Sequence, residues 1–270
     1  MSKVSDRPTA GVDTDVPSAA RIYDYALGGA HNFAADRAAA NELFRVYPDG
    51  LAVARSNRLF LQRAVRYCFR QGIRQFLDLG SGIPTVGNVH EVAHQLDPAC
   101  RVVYVDNEQI AFVTTEQMLA DVQNAAVVEA DMRDPAAVLH APATRQLLSF
   151  DEPVAVMMVA VLHYVSESDG IERVVEGYTG AVVPGSYLVV SHTTADEQPE
   201  AEEIRRIFAK TPTPVTHRSR AEIAALFDGM EFIPPGVVWT PQWNPIDESE
   251  PLYETPERSA TYAAVGRIIR

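Results

Sequence analysis

The chain has 270 residues and a net charge of −13, with 23 Lys and Arg against 36 Asp and Glu. Its hydrophobic content of 47% and charged content of 22% are those of a globular protein and exclude a disordered or fibrous chain over most of the length. The acidic balance argues against a general binder of nucleic acids or anionic membranes, because both need a basic face on the protein. We therefore expect neither nucleic acid nor membrane as a partner.

Cysteine content and hydropathy both indicate a soluble, cytoplasmic protein. The two cysteines, Cys68 and Cys100, lack CxxC spacing, which argues against a disulfide scaffold or a structural zinc site. The N-terminus is polar, and the longest apolar run, residues 154–162, is shorter than the roughly 20 residues that span a bilayer.

The N-terminal quarter is predicted to be helical after a short tail. Residues 1–16 carry Ser, Asp, Thr, Pro and Gly without periodicity, which predicts a disordered tail. Helical patterns, each ended by Gly or Pro, follow over residues 18–27, 34–46 and 51–70. We expect residues 17–72 to form a helical cover and residues 73–270 to form the main domain.

From residue 73 onward, short apolar runs alternate with helical patterns. The candidate strands are residues 75–79, 101–105, 125–129, 154–159 and 187–191. Such alternation predicts a parallel sheet with helices on both faces. Helices are then predicted over residues 199–210 and 219–227, and strands over residues 231–238 and 262–268. Residues 240–256, rich in Pro, Asp and Glu, are predicted to be an exposed loop joining two strands that pair antiparallel at the sheet edge.

The stretch FLDLGSGIPT, residues 76–85, carries the most chemical information. A predicted strand runs into a Gly-rich turn and then into a helix expected to begin near Val86, whose N-terminus would attract a carboxylate or phosphate. The dinucleotide fingerprint is not met, because Thr85 stands where a third Gly is needed and Asp78 where an apolar residue is needed. The pattern favours a ligand with a cationic group near Asp78, although a GxG turn alone is equally compatible with a plain strand-to-helix turn.

Two further predicted strands end in an acid. Asp106 follows the second strand, where a carboxylate can accept hydrogen bonds from adjacent ribose hydroxyls. Asp131 follows the third strand, where it can accept from an exocyclic amine while Met132 packs on a flat base. Each acid alone could be a helix N-cap. Three in series at one edge of a parallel sheet indicate a ligand site.

This motif series resembles that of class I S-adenosylmethionine-dependent methyltransferases. The N-terminal segment PSAARIYDYALGG, residues 17–29, together with Asn32, Phe33 and Asp36, is similar to the signature of an actinobacterial family of such proteins whose substrates are largely unassigned. The resemblance covers nearly the whole chain from Pro17. One departure is Pro84, which replaces a third Gly of the broader class and indicates a different path for the loop after Gly82.

The resemblance implies a Rossmann-like α/β fold with a seven-stranded, mostly parallel sheet and an antiparallel last strand, and S-adenosylmethionine as cofactor. In that class the first acid faces the methionine amine, the glycines make room for the cofactor, the second-strand acid holds the ribose and the third-strand Asp holds adenine. By this resemblance the expected cofactor contacts are Asp78, Gly80, Ser81, Gly82, Asp106, Asn107, Asp131, Met132, Tyr25, Gly29 and Asn32.

Residues 23–36 combine polar and aromatic side chains around a Gly-Gly break at residues 28–29. This pattern predicts a lid hinged at the glycines, with a helix C-cap and ordinary packing as the alternative. Three arginines, Arg21, Arg55 and Arg58, could pair with a ligand carboxylate or form structural salt bridges.

Two candidate catalytic residues, His163 and Tyr164, follow the fourth predicted strand, beside the expected position of the transferable methyl group. A His with its ordinary pKa of about 6.5 can take a proton from an attacking hydroxyl. A structural His bonded to a neighbouring loop is the alternative. Methyl transfer does not require a general base, because positioning alone can accelerate the displacement.

The segment HEVAH, from His90 to His94, fits the HExxH pattern of zinc peptidases. The longer zincin form needs Gly and His further along the helix, but those positions hold Asp97 and Cys100, and Pro98 ends the helix. A zinc peptidase is therefore only a remote alternative, and no metal site is expected.

The sequence thus predicts transfer of a methyl group from S-adenosylmethionine to oxygen or nitrogen of a small-molecule acceptor. The main alternative is a catalytically inactive S-adenosylmethionine-binding regulatory protein, because no residue is demonstrably essential for the chemistry. The net charge of −13 favours a neutral or cationic acceptor over a polyanion. The oligomeric state stays open, with a homodimer as one option.

Overall fold

The computed structural model describes residues 12–270. Most of the predicted tail therefore lies outside the described residues. Where the chain becomes described, Nη2 of Arg21 donates to the backbone carbonyls of Asp13 and Val16, at 3.4 and 2.5 Å. No helix within residues 12–270 is long and apolar enough to cross a membrane.

One sheet runs through the described part of the chain and contains eight strands. They are β1 (Gln75–Leu79), β2 (Arg101–Asp106), β3 (Ala125–Glu129), β4 (Ala155–Val159), β5 (Tyr187–Thr193), β6 (Met230–Phe232), β7 (Val238–Trp239) and β8 (Thr261–Ile268). The strand order is β3, β2, β1, β4, β5, β8, β6, and β7 also pairs with β8. Strands β1 to β5 are parallel, and β8 is antiparallel to its neighbours. This arrangement confirms the predicted Rossmann-like fold.

Helices cover both faces of the sheet. They are α1 (Ala19–Ala26), α2 (Ala34–Val46), α3 (Gly50–Arg70), α4 (Val89–Leu96), α5 (Gln109–Met118), α6 (Pro135–His140), α7 (Pro142–Leu147), α8 (Ile171–Thr179), α9 (Ala201–Phe208) and α10 (Arg220–Ala225). Successive residues of β1 enter different cores: Phe76 packs with Phe60 of α3, and Leu77 with Val174 of α8. Both faces of β1, β2, β4 and β5 are thus buried, which explains their continuous apolar sequence.

The order of strands reverses at β1, which pairs with β2 on one side and β4 on the other. Open α/β sheets bind ligands in the crevice at the carboxyl ends of the strands next to such a reversal. Helices α1, α2 and α3 pack against one another to form the N-terminal part of the structure.

A buried ion pair ties the N-terminal helices to this edge of the sheet. Asp36 has no exposed surface, and its carboxylate accepts from the backbone N–H groups of Ser18 and Phe33, at 2.9 and 2.8 Å, and from Nε of Arg21 at 2.9 Å. Nη1 of the same arginine donates to Glu108 at 3.1 Å, in the turn between β2 and α5.

The predicted strand over residues 231–238 is interrupted. Pro234 and Pro235 lie in its middle, and proline has no amide hydrogen for a strand ladder. Two short strands, β6 and β7, result, and both pair with β8. The sheet therefore has eight strands rather than the predicted seven. The predicted antiparallel pair at the sheet edge is formed by β8 and β6, with β6 as the edge strand.

The prediction that residues 240–256 form an exposed loop holds only in part, because residues 246–249 are exposed whereas Thr240, Trp243 and Glu250 are buried. Trp243 is fully buried, and its ring packs edge-on against Phe60 with 5.4 Å between centroids. Arg63 of α3 donates to the carbonyls of Trp243 and Thr240, at 2.9 and 2.7 Å, and pairs with Glu250. These three positions are held inward because they supply acceptors to a buried arginine, while residues 246–249 between them stay exposed.

Candidate functional site

A cavity of about 1040 Å³ lies at the carboxyl ends of β1 to β4, below the N-terminal helices. Ten of the predicted site residues line this cavity. They are Asp78, Gly80, Ser81, Gly82, Asp106, Asn107, Asp131, Met132, His163 and Tyr164. Parallel strands bring them together, because each strand ends at the same edge of the sheet.

The structure does not bring Tyr25, Gly29 and Asn32 to the cavity wall. Asn32 instead donates from Nδ2 to Oδ2 of Asp24 at 2.8 Å, and a Cβ on Gly29 would lie 1.9 Å from Oδ1 of Asp24. The ring of Tyr25 stacks on Phe44 with 6.4 Å between centroids. These residues hold the connection between α1 and α2.

The Gly-Gly break forms the end of helix α1. Gly28 has φ +82°, and the backbone N–H of Gly29 donates to the carbonyl of Asp24 at 2.8 Å. Asp24 is buried and also accepts from the backbone N–H of His31 at 2.9 Å. This geometry is that of a helix C-cap, and the lid hinged at these glycines stays a prediction.

The glycine-rich turn after β1 is shaped by two glycines with different surroundings. Gly80 has φ +66°, and a Cβ there would lie 2.1 Å from Cγ2 of Val161. Gly82 has φ +65°, and a Cβ there would meet nothing within 4 Å. Gly80 is therefore required for packing, whereas Gly82 faces open space in the cavity.

The helix expected near Val86 begins three residues later, at Val89. Its N-terminus is capped by the chain itself, because Glu91 accepts from the backbone N–H groups of Gly87 and Asn88 at 2.7 and 2.9 Å. The expectation that this helix end attracts an anionic ligand is therefore wrong.

The HExxH side chains have structural partners. Nδ1 of His90 lies 2.7 Å from the hydroxyl of Tyr104, and Nε2 of His94 lies 2.9 Å from the carbonyl of Cys100. Glu91 caps the helix as described above. Residues 12–270 contain no group of three or more His, Cys, Asp or Glu side chains placed to hold a metal ion. The motif here stabilises the first crossover helix.

Asp78 is a buried carboxylate that lacks a partner. Its side chain is 5% exposed and makes no hydrogen bond or ion pair with another residue in the described part of the chain. Burial raises its pKa to about 7, the Arg58 guanidinium opposes that rise, and the nearby Asp106 carboxylate adds to it. Nε of Arg58 is itself buried without a partner, and the guanidinium lies 5.8 Å from the ring centroid of Tyr23.

Asp106 anchors the turn that it faces. Its oxygens accept from the backbone N–H groups of Gly82 and Glu108, at 2.7 and 2.9 Å. Burial raises the pKa of Asp106 to about 6, and these two hydrogen bonds limit the rise. A carboxylate has four lone-pair positions, so Asp106 keeps acceptor capacity toward the cavity.

Asp131 is held by an arginine that sequence reasoning missed. Nε of Arg133 lies 3.0 Å from both carboxylate oxygens of Asp131, and Nη2 lies 2.6 Å from Oδ2. The Arg133 guanidinium lowers the pKa of Asp131, and the side chain of Asn107 contributes to the same effect. The Met132 carbonyl accepts from the hydroxyl of Tyr178 at 2.8 Å, which fixes the loop.

His163 and Tyr164 lie in a short helical turn after β4, with 4.3 Å between their ring centroids. Burial holds the pKa of His163 well below its usual range, and the neighbouring His192, His217 and Arg218 lower it further. Nδ1 of His163 is buried without a partner. Burial raises the pKa of Tyr164, whose hydroxyl bonds to no other side chain in residues 12–270.

A second arginine missed by the sequence analysis holds this turn in place. Arg218 is 4% exposed and donates to the carbonyls of Leu162 and Val165, at 3.2 and 2.9 Å. It also donates to Nε2 of His192 at 3.0 Å. Neither Arg218 nor His192 belongs to a sequence motif, so only the tertiary structure reveals the contact.

The fold and the cavity together define a class I S-adenosylmethionine-dependent methyltransferase. The features that support this assignment are a parallel sheet with one reversal, an antiparallel strand beside β5, and the acids Asp78, Asp106 and Asp131 at the ends of β1 to β3. The sequence matches the family model described as S-adenosyl methyltransferase over residues 5–269, and the chain belongs to that family. None of the curated proteins compared with the chain matches it.

Solved structures agree with this assignment. The chain is 39% identical to a candidate methyltransferase from Thermobifida fusca, with a TM-score of 0.92 and coverage of 98% of this chain and 100% of that one. It is 38% identical to a DUF574-family protein from Streptomyces avermitilis, with a TM-score of 0.91 and coverage of 95% and 99%. An O-methyltransferase family protein from Burkholderia thailandensis shares the fold at 13% identity, with a TM-score of 0.51 and coverage of 85% and 62%.

Proposed function

We propose that the protein transfers the methyl group of S-adenosylmethionine to an oxygen or nitrogen atom of a small-molecule acceptor. The observation that carries the proposal is Asp78, a buried carboxylate with no donor in the described protein, at the end of β1 and on the wall of the cavity. A buried carboxylate is stable in its charged form only beside a cation or hydrogen-bond donors. The ammonium group of the cofactor would supply that cation.

Other unpartnered groups on the cavity wall also fit the cofactor. The buried Nε of Arg58 and Oγ of Ser81 have no partner, and both residues line the cavity. We assign Arg58 to the cofactor carboxylate, because a guanidinium is well suited to bind one. Open space at the Cβ position of Gly82 allows the ligand to approach the backbone closely.

The two remaining acids would hold the other parts of the cofactor. Asp106 retains free lone pairs for the ribose hydroxyls, while the amides of Gly82 and Glu108 orient its carboxylate. Asp131 would accept from the adenine amine, with its carboxylate oriented by Arg133. When bound, S-adenosylmethionine supplies an electrophilic methyl group on a positively charged sulfur.

At the acceptor end, His163 is neutral near pH 7 because its pKa is lowered by burial. A neutral imidazole can accept a hydrogen bond or a proton from an acceptor hydroxyl or amine. Tyr164 keeps its phenolic proton, because burial raises its pKa, and can donate to the acceptor. These two residues would orient the nucleophile, and positioning is the main source of rate acceleration in such a displacement.

A small acceptor is favoured over a macromolecule by the enclosure of the site. Helices α1, α2 and α3 contribute to the cavity wall opposite the strand ends. Concave, covered sites of this kind are typical of small-molecule binding.

Titration calorimetry with S-adenosylmethionine and S-adenosylhomocysteine tests the proposal. We expect saturable binding of both, and Asp106→Asn to weaken it by roughly ten- to a hundredfold, since a hydrogen bond to a charged group contributes about 1.5–3 kcal/mol. Glu129→Gln is the matched control, because Glu129 is an exposed acid at the end of the neighbouring strand. Failure of both ligands to bind the folded protein would contradict the proposal.

Turnover then separates an enzyme from a cofactor sensor. The protein is incubated with methyl-labelled S-adenosylmethionine and a panel of small phenols, alcohols and amines. Release of S-adenosylhomocysteine in excess of the protein concentration is the expected result. Binding of both ligands without turnover on the whole panel would contradict the assignment of the acceptor class.

A further inference from the structure

The cavity contains a region without charged residues that the cofactor assignment does not use. We propose that this region binds the methyl acceptor and that the acceptor is an uncharged molecule built on an apolar ring system with one hydroxyl or amine. We call it the apolar chamber and define it by Leu43, Phe44, Tyr47, Ile204, Phe208 and Val215, all of which line the cavity. The inference rests on the proposed function, because the remainder of the cavity is assigned to the cofactor.

The size of the cavity leaves room for a second ligand. Its volume is about 1040 Å³, whereas pockets for one small molecule range from about 300 to 1000 Å³. A cavity at the upper limit has room for a second molecule beside the cofactor. The apolar chamber is the part of the wall that carries none of the predicted cofactor contacts.

Charge is segregated between the two parts of the cavity. The charged residues on the described wall come from the N-terminal segment, α1, α3, the ends of β1 to β3 and the turn before α8; they are Asp13, Arg21, Arg58, Asp78, Asp106, Glu108, Asp131, Arg133 and Asp169. The wall segments from α2, α9, residues 212–215 and residues 260–261 contribute no Asp, Glu, Lys or Arg. A charged acceptor would lose its hydration there without gaining an ionic partner, which is unfavourable.

Aromatic rings form much of the chamber wall. Helix α2 packs against α9, and the rings of Tyr164 and Phe208 are 6.3 Å apart between centroids. The hydroxyl of Tyr47 donates to the carbonyl of Arg258 at 2.5 Å and lies 3.3 Å from Oε1 of Gln198. Tyr47 therefore presents its ring to the chamber rather than a free hydroxyl. Rings of this kind pack favourably on a flat, apolar ligand.

Polar groups lie beside the chamber, because the ring of Tyr164 neighbours that of Phe208. The backbone N–H of Thr216 donates to the carbonyl of His163 at 2.8 Å, which joins the segment after α9 to the turn that carries the two candidate catalytic residues. The hydroxyl of Tyr164 makes no side-chain hydrogen bond within the described residues, so it is available to a ligand. One polar group on an otherwise apolar acceptor would satisfy this end of the site.

The test uses three probes that share the 2-naphthol ring and differ in the substituent at position 6, which is hydrogen in 2-naphthol, an anion in 6-hydroxy-2-naphthoate and a cation in 6-aminomethyl-2-naphthol. Binding of each is measured by calorimetry at pH 7 to protein saturated with S-adenosylhomocysteine. We expect 2-naphthol to bind at least about tenfold more tightly than either charged analogue. Only the charged analogues bring a charged group into the chamber, where it loses its hydration and finds no ionic partner. Equal binding of the charged and uncharged probes would overturn the inference.

Variants of α9 locate the binding. Phe208→Ala is expected to weaken 2-naphthol binding about tenfold or more through loss of ring contact, and Ile204→Lys is expected to reverse the preference toward 6-hydroxy-2-naphthoate. Arg205→Ala is the control, because this neighbouring side chain is 54% exposed and forms a surface salt bridge. Unchanged binding in both chamber variants would overturn the inference.

Titration of S-adenosylhomocysteine alone separates the two proposals. If it binds and none of the naphthols binds, the acceptor inference fails while the cofactor assignment stands. If it does not bind, the proposed function fails, and 2-naphthol binding that is lost in Phe208→Ala still supports an apolar ring-binding chamber.

Discussion

Nη1 of Arg218 donates a hydrogen bond to Nε2 of His192, 3.0 Å away. A guanidinium has no acceptor, so Nε2 must be unprotonated and the ring proton must lie on Nδ1. Nδ1 is 2.6 Å from the carbonyl of Thr193, to which it donates. Burial lowers the pKa of His192 to about 3, and the Arg218 charge adds to this effect. His192 is therefore neutral and fixed in one tautomer, with its ring centroid 5.6 Å from that of His163.

We expect Arg218→Met to lower kcat at least about tenfold while the affinity for S-adenosylhomocysteine changes less than about twofold. The substitution removes the donors that hold the Leu162 and Val165 carbonyls, so the turn carrying His163 loses its position. The pKa of His192 is expected to rise, because a neighbouring positive charge is lost, and NMR titration of the imidazole measures that rise. Arg173→Met is the control, since Arg173 is exposed and donates to the carbonyl of Asp169. An unchanged kcat and an unchanged His192 titration would contradict the positioning role.

Three glycine substitutions separate backbone strain from loss of cofactor space. Gly72, Gly80 and Gly82 all have positive φ, so alanine at each is expected to lower the free energy of unfolding by about 1–2 kcal/mol. Gly80→Ala is expected to lower the free energy of unfolding by about 1–3 kcal/mol more, because its Cβ would lie 2.1 Å from Cγ2 of Val161. Gly82→Ala is expected to lose as much free energy of unfolding as Gly72→Ala. Its affinity for S-adenosylhomocysteine is expected to be at least about tenfold lower, because its methyl group enters the cavity. Urea unfolding and calorimetry measure the two effects. Equal ligand affinity in Gly72→Ala and Gly82→Ala would contradict the placement of Gly82 at the cofactor.

The parallel strands and the acids at their ends could be predicted because the signals are local. Strands β1 and β3 begin and end at the predicted residues, since both are continuous apolar runs bounded by polar residues, a sequence typical of parallel strands. Asp78, Asp106 and Asp131 share a cavity because the parallel topology places every strand end at one edge. The alternation of strands and helices is therefore sufficient to predict that these three acids lie close together.

Other parts of the structure depend on contacts between residues far apart in sequence. Residues 240–256 have a polar composition, but Arg63, about 180 positions earlier, holds Thr240 and Trp243 inside the protein. A nearer contact also escaped the sequence pattern: Asp24 determines the positions of Gly29 and Asn32, and these two residues do not reach the cavity. A buried charged group forms hydrogen bonds with the donors or acceptors that the fold places near it. Composition alone does not show which segment provides them.

The buried ion pair of Arg21 and Asp36 predicts that the N-terminal helices contribute to cofactor binding. Arg21 lines the cavity, whereas Asp36 does not and acts by holding Arg21 in place. Asp36→Asn is expected to lower the free energy of unfolding by about 3–5 kcal/mol, the typical loss when one partner of a buried ion pair is removed. Arg21 also contacts Glu108, at the turn after β2, so we expect weaker binding of S-adenosylhomocysteine and faster proteolysis between α1 and α2.

Glu42→Gln is the control for Asp36→Asn. It lies on the same helix, and its salt bridge with the exposed Lys210 has a distance of 3.1 Å. Surface pairs of this kind contribute about 0–1 kcal/mol. Urea unfolding that shows similar small losses for both variants would contradict the structural role of the buried pair.

The raised pKa of Asp78 predicts opposite effects of pH on the free protein and on cofactor binding. Its pKa rises from 3.8 to about 7 through burial, so in the free protein the ionised carboxylate is destabilising. That penalty is absent below the unfolded value, grows as the pH rises from 3.8 to about 7, and is complete above it. Asp78→Asn should therefore stabilise the free protein at pH 8 by up to about 4 kcal/mol, at about 1.36 kcal/mol for each unit of pKa.

Cofactor binding should show the reverse dependence, because the ammonium group needs the ionised carboxylate. The affinity for S-adenosylhomocysteine is expected to fall about tenfold for each pH unit below 7. In Asp78→Asn the affinity at pH 8 should be lower, and the decline should begin only near pH 6, where Asp106, with its pKa of about 6, takes up a proton. Calorimetry between pH 5.5 and 8, with urea unfolding at each pH, measures both effects. A variant that keeps the wild-type pH dependence of binding would show that Asp78 does not contact the cofactor ammonium.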